Sequence, residues 1–181
     1  SIDTLDPDKF KRLTRWGKLD DVWEGILAAE KAGLAPVKLN AVVVKGYNED
    51  DVIDLAALTI DHPWQMRFIE MMPFAGATDL QINQVITMAQ IQDTIESEFG
   101  KLEVANGGKL DGEAQVFHIP HAKGDLGFIS SVTHPFCSAC TRARLTSDGK
   151  LRICLLREKE VDLHTPMRAG DPLDELRKLL L

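Results

Sequence analysis

The stretch from Cys137 to Cys154 constrains this chain more than any other. It reads Cys-Ser-Ala-Cys-Thr-Arg-Ala-Arg-Leu-Thr-Ser-Asp-Gly-Lys-Leu-Arg-Ile-Cys and contains all 3 cysteines of the protein, spaced C-x2-C-x13-C. Arg142 and Arg144 follow the second cysteine, and Ser147-Asp148-Gly149 forms a turn sequence before the third. A turn between two alternating runs predicts a β-hairpin. A two-residue Asp148-Gly149 turn would set Arg142 and Arg144 on the same face as Leu151, Ile153 and Leu155. A three-residue loop, with Gly149 in the left-handed region, shifts the pairing by one. Arg142 then faces Cys154, Arg144 faces Arg152 and Thr146 faces Lys150, while Ala143, Leu145, Leu151, Ile153 and Leu155 collect on the other side. Register follows the side-chain pattern, so the three-residue loop is predicted. It gives a basic face beside a cysteine and an oily face for the core.

Three thiols in this spacing are poorly explained as inert packing. A redox Cys-x-x-Cys needs a strand-to-helix setting that this hairpin lacks. Zinc needs a fourth ligand, which His134 can supply. A [4Fe–4S] cluster held by three thiolates keeps one iron open to an outside ligand. Spacing alone does not choose between zinc and cluster. The basic face favours a cluster whose open iron meets an anionic, nitrogen-bearing substrate, because Arg142 and Arg144 can hold phosphate oxygens in forked hydrogen bonds. Against this stands the ordinary charged edge of a solvated strand.

A net charge of −7 argues against general nucleic-acid affinity. Any anion must be held by a local basic cluster against the overall field. The chain is 44% hydrophobic and 27% charged over 181 residues, as in a soluble globular protein with a core of useful size. No apolar run reaches membrane-spanning length, and no signal peptide opens the sequence. An odd number of cysteines argues against a closed disulfide framework and for a reducing compartment. The start without Met and the end on Leu179-Leu180-Leu181, inside a helical pattern, suggest a piece of a longer chain.

Asp6-Pro7 predicts a helix to about Arg15. A second helix is expected over 19–32, with Val22, Trp23, Ile26, Leu27 and Ala29 apolar and Gly33 at its end. The apolar run 37–44 is broken by Lys38 and Asn40, as in a parallel strand with one face lining a cavity. Asn48 is expected to cap a helix over 49–60, and 65–72 reads as a strand ended by Pro73. This order predicts consecutive βα units in a parallel sheet or barrel. A loop over 74–83, a helix over 87–99 and short strands near 102–104, 115–119 and 126–132 follow. The hairpin comes next, then a last helix capped by Asp171-Pro172. The domain boundary is expected near residue 84, with a smaller α+β region beyond it.

Phe136 to Arg152, with Cys154-Leu155, resembles the second-cluster motif of the GTP 3′,8-cyclase (MoaA) family. These radical S-adenosylmethionine enzymes begin molybdenum cofactor synthesis. Ser1-Ile2-Asp3-Thr4-Leu5, Val37-Lys38-Leu39-Asn40-Ala41-Val42-Val43, Gly46-Tyr47-Asn48 and Arg67-Phe68-Ile69-Glu70-Met71-Met72-Pro73 are similar to the same family, in the same order. The resemblance implies an α/β fold. Residues 1–84 would be the second half of a partial (β/α)6 TIM-like barrel, and residues 85–181 a small α+β domain binding the second [4Fe–4S] cluster and GTP.

It also implies the conversion of GTP to 3′,8-cyclo-7,8-dihydro-GTP. A first [4Fe–4S] cluster cleaves S-adenosylmethionine to a 5′-deoxyadenosyl radical, which abstracts a ribose hydrogen. Cys137, Cys140 and Cys154 match the ligands of the second cluster, whose open iron binds the guanine base. Lys38, Arg142, Ala143 and Arg144 match GTP contacts, and Ser1 and Met72 match S-adenosylmethionine contacts; no residue here is assigned to catalysis. Lys38 also stands out by its own chemistry: a lysine in an apolar strand needs an anionic partner, unless at the strand end it reaches solvent.

The family's C-x3-C-x2-C loop for the first cluster and its Gly-Gly tail are not among these residues. The 181 residues alone are therefore expected not to generate the radical. GTP and a second copy in a homodimer are the expected partners, without nucleic acid or membrane. The setting is a bacterial cytoplasm or, in a eukaryote, the mitochondrial matrix. The Arg142-Ala143-Arg144 element argues against a peptide-maturing radical enzyme, which needs no triphosphate clamp. The competing class is a zinc-binding Cys3His interaction module without catalysis.

Overall fold

Asp6 accepts hydrogen bonds from the N–H groups of Asp8 (2.8 Å) and Lys9 (2.9 Å), so α1 (Pro7–Thr14) starts where its cap and proline predict. In the computed structural model, residues 1–72, 85–135, 140, 142–154, 159–170 and 172–179 are described. They fall in two compact units, 1–72 with 85–135, and the residues from 140 onward.

In the first unit, α2 (Leu19–Lys31) buries Ile26 and packs Val22 and Trp23 beside it. Leu27, expected on that face, is exposed: one residue past Ile26 is about 100° round the helix. β1 (Lys38–Val43), α3 (Val52–Asp61) and β2 (Gln65–Glu70) follow as a parallel βα unit. Asn48 does not cap α3, which is preceded by a 3-10 turn over Glu49–Asp51. Its buried side chain points inward instead. It accepts from the Val44 N–H at 2.8 Å and donates to the carbonyls of Asp3 (2.8 Å) and Val42 (3.0 Å). Buried backbone groups need partners, and this demand outweighs the cap. With Ile2 N–H donating to the Asn40 carbonyl at 2.9 Å, it fastens the first residues along β1.

A capping box of Thr87 and Gln90 opens α4 (Met88–Phe99). β3 (Glu103–Val104), β4 (Gln115–His118) and β5 (Asp125–Ile129) join the sheet that β1 and β2 begin. The strand order is β1-β2-β5-β4-β3. β1, β2 and β5 run parallel, whereas β4 and β3 add antiparallel. The result is a mixed five-stranded sheet, and no pairing among the described residues closes it into a barrel. Leu39, Ala41, Val43, Met66, Phe68, Leu126 and Phe128 turn to one face and are buried with Leu55, Ile91 and Ile95 of the helices.

The second unit carries the three-stranded antiparallel sheet β6 (Arg144–Leu145), β7 (Lys150–Arg152) and β8 (Glu160–Asp162). Two short helices follow, α5 (His164–Ala169) and α6 (Leu173–Lys178). β8 and α5 are additions to the sequence-based reading, and the proposed cap Asp171 lies outside the described residues. No described residue of this unit is buried. Among the described residues, no helix is long and apolar enough to cross a membrane.

Glu70 ends β2 on the oily face and is fully buried. Its Oε1 accepts from Met88 N–H at 2.7 Å and from the Thr133 hydroxyl, and its Oε2 accepts from Val132 and Thr133 N–H, both at 2.9 Å. Burial alone would raise its pKa. The Thr133 hydroxyl and the three N–H donors outweigh that and hold it below the ordinary carboxylate value. One side chain thus ties a strand end, a helix start and the loop after β5. Glu70→Gln sets an amide NH2 against at least two of these donors. It should lower stability by about 2–3 kcal/mol, read from urea unfolding followed by tryptophan fluorescence.

Candidate functional site

The face of the sheet opposite the oily one is polar where the strands begin. Lys38, Asn40 and Val42 alternate along β1, in register with Gln65, Arg67 and Ile69 of β2. Asp125, Gly127 and Ile129 continue the same rows on β5. Lys38 Nζ donates to both oxygens of Asp111, at 3.0 and 2.8 Å. The Arg67 guanidinium donates to Asp111 Oδ2 at 2.8 Å and, through Nε, to Gln65 Oε1 at 2.6 Å. The Lys38 ammonium first, and then the charge of Arg67, hold the Asp111 carboxyl below its ordinary value despite partial burial. Lys38 therefore both finds an anion and reaches solvent; its side chain is 39% exposed against 12% for Arg67. Asn40 Oδ1 is buried on this face without a hydrogen-bond partner among the described residues.

Arg67 and Asp111 are absent from the sequence-based set of site residues. Arg67 carried a signal, a cation between Met66 and Phe68 inside a strand. Asp111 carried none, because it lies 44 residues from Arg67, in a Gly-rich polar stretch, and only the fold brings it across. Gly127 makes room for the cluster. A Cβ there would stand 2.8 Å from Arg67 Cγ and 3.2 Å from Ala114 Cβ, so the arginine stem crosses the strand where no side chain exists.

In the second unit the hairpin adopts the register read from its pattern. Arg144 pairs with Arg152 and Leu145 with Leu151. Thr146 N–H donates to the Lys150 carbonyl at 2.9 Å, and Gly149 takes a φ of 79°. The oily face does not enter a core, however: Leu145 is 69% and Ile153 54% exposed, and Leu155 lies outside the described residues. No core exists among the unit's described residues for that face to join.

Two arginines directly opposite each other repel. Glu160, across from Arg152 on β8, relieves this by accepting from Arg152 Nε at 2.9 Å and from a terminal guanidinium nitrogen. Arg144 is half-buried and has no ion-pair partner among the described residues. Thr146 and Lys150 hold the turn carboxylate of Asp148 down to about 2. Cys140 is exposed and Cys154 half-buried, both as free thiols. Cys137 lies outside the described residues, and no three His, Cys, Asp or Glu side chains among the described residues converge on a metal position. Arg142, Ala143 and His134 are exposed; Ser1 is exposed at the start of the chain, and Met72 is half-buried two residues past Glu70.

A family model described as Molybdenum Cofactor Synthesis C matches residues 64–181. The chain is 40% identical over 181 residues to a GTP 3′,8-cyclase of Pelotomaculum thermopropionicum, covering 100% of this chain and 56% of that protein. It is 46% identical to the GTP 3′,8-cyclase of Gloeobacter violaceus, over 99% of this chain and 55% of the relative. To that of Thermodesulfovibrio yellowstonii it is 44% identical, over 100% and 56%. The chain thus spans about half the length of the curated relatives it matches.

The close fit of Gly127 gives a prediction for the first unit. Gly127→Ala forces the Arg67 stem aside and crowds buried Ala114. It should cost about 1–3 kcal/mol in urea unfolding, while Gly25→Ala, inside α2 where an added Cβ meets nothing, should instead gain about 0.5–1 kcal/mol by the same readout.

Proposed function

Because the chain belongs to the Molybdenum Cofactor Synthesis C family, we propose that it is the substrate-binding and second-cluster part of a GTP 3′,8-cyclase. In this reading GTP becomes 3′,8-cyclo-7,8-dihydro-GTP, with S-adenosylmethionine as the source of the radical. The observation that carries the reading is the hairpin, where the half-buried guanidinium of Arg144, without an ion-pair partner among the described residues, lies between the free thiols of Cys140 and Cys154 in sequence. The Arg144–Arg152 pair supports the three-residue loop on which the expected approach of Arg142 to Cys154 depends.

The donor set fits a [4Fe–4S] cluster. Cys140 and Cys154 are thiols rather than a disulfide, and with Cys137 they provide three thiolates. The lack of a buried core among the unit's described residues supports this too, since small units without a core depend on a staple such as a metal centre. When bound, the cluster supplies an open iron as a contact for a substrate nitrogen or oxygen. The chain's own residues bind and orient: Arg142, Ala143 and Arg144 are assigned to GTP, and Lys38 to one of its phosphates. Ser1 and Met72 are assigned to S-adenosylmethionine. The parallel strands β1 and β2, oily toward the helices and polar on the other side, support reading residues 1–84 as the second half of a partial barrel. All 3 cysteines lie in the hairpin segment, which leaves no thiolate in these 181 residues for the cluster that cleaves S-adenosylmethionine. On this reading the stretch is inactive by itself.

The test is Arg144→Ala in the full-length protein carrying its clusters. A forked guanidinium–phosphate contact is worth about 1.5–3 kcal/mol, so the Kd for GTP should rise by about tenfold or more while iron content stays unchanged. Unaltered GTP affinity would remove Arg144 from the site.

A further inference from the structure

We propose that Asp111 is a specificity-determining residue: an internal carboxylate that occupies the Lys38–Arg67 anion position, so that a substrate phosphate enters only by displacing it. The inference rests on Lys38 being a phosphate contact, as proposed above. One oxygen, Asp111 Oδ2, lies 2.8 Å from both Lys38 Nζ and the Arg67 guanidinium, and Oδ1 lies 3.0 Å from Lys38. Two cations from neighbouring strands converging on one oxygen form the geometry that a phosphate oxygen requires.

Asp111 reaches this point from outside the sheet strands. Its backbone exchanges N–H bonds with Ala114, at 2.9 and 3.2 Å, in an isolated bridge beside β4, and its carbonyl also accepts from the Arg67 guanidinium at 3.5 Å. It can leave without breaking a strand ladder. It is ionised at neutral pH, since both cations lower its pKa.

The exchange has a simple energetic form. Displacing Asp111 costs a fixed amount, the loss of its ion pairs less the hydration it regains. What the incoming group returns grows with its charge. A singly charged carboxylate merely replaces one monoanion with another, whereas a phosphate carrying about −1.5 to −2 charges gains more from the same two cations. A ligand without phosphate never meets the cost. Asp111 therefore raises the threshold against weakly charged anions, and its removal helps only ligands whose phosphate reaches the position.

The experiment compares GTP and guanosine binding by calorimetry to the full-length protein, as wild type, Asp111→Asn and Lys38→Ala. Asparagine keeps the shape and removes the charge. Asp111→Asn should tighten GTP about fivefold, the scale of two partly exposed ion pairs, and leave guanosine unchanged. Lys38→Ala should weaken GTP. If Lys38→Ala weakens GTP and Asp111→Asn weakens it or changes nothing, Asp111 is a positioning partner of Lys38 and the present proposal alone fails. If Lys38→Ala leaves GTP affinity unchanged, the phosphate role of Lys38 fails, and this proposal fails with it.

Discussion

Along β1, β2 and β5 one set of side chains packs under the helices and the next set does not, and the first unit depends on this period of two. Leu39, Ala41, Val43, Met66, Phe68, Leu126 and Phe128 remove their apolar surface from water. Their neighbours Lys38, Asn40 and Arg67 are left free for charge and hydrogen bonding on the other side. Glu70 has the parity of Met66 and Phe68, so the pattern drives a carboxylate into the oily layer. It is tolerated there because four donors from α4 and the loop after β5 surround it. The same residue thereby holds the chain at 132–133, shortly before it runs into the cysteine segment.

The second unit has no counterpart to that layer among its described residues. Its order rests on short ladders, on the turn around Asp148, and on ion pairs such as Arg152–Glu160 and Lys150–Asp148. Exposed pairs of this kind contribute about 0–1 kcal/mol each, little against the entropy of ordering the chain. Three thiolates closing around one metal centre would supply what burial does not. Leu145 and Ile153 are accordingly exposed, with no layer among the described residues to cover them.

Where contacts are local, the sequence made them legible. Asp6-Pro7 marks the start of α1, and the alternation of charges and aliphatics fixes the hairpin register, since a slip by one would mix the faces. The parallel order of β1 and β2 follows from strand–helix–strand spacing. Contacts that depend on distant partners were not legible. Nothing local shows that β5 adds to β2, or that Asn48 serves the Asp3 carbonyl instead of α3. Lys38 was visible as a charge in an apolar strand, but its partner Asp111 lies 73 residues away. The hairpin's oily face was misassigned to the core because alternation reports two unlike faces without saying that a second layer covers one of them.

The central claim is that the hairpin cysteines hold an iron–sulfur cluster and that the cluster orders the second unit. Metal and acid-labile sulfide analysis after anaerobic reconstitution of the chain, read together with amide exchange over 144–152, tests it directly. The account predicts about four irons and four sulfides per chain, slower exchange in the loaded form, and loss of both in Cys154→Ala. One zinc per chain without sulfide, or exchange indifferent to iron loading, would contradict it.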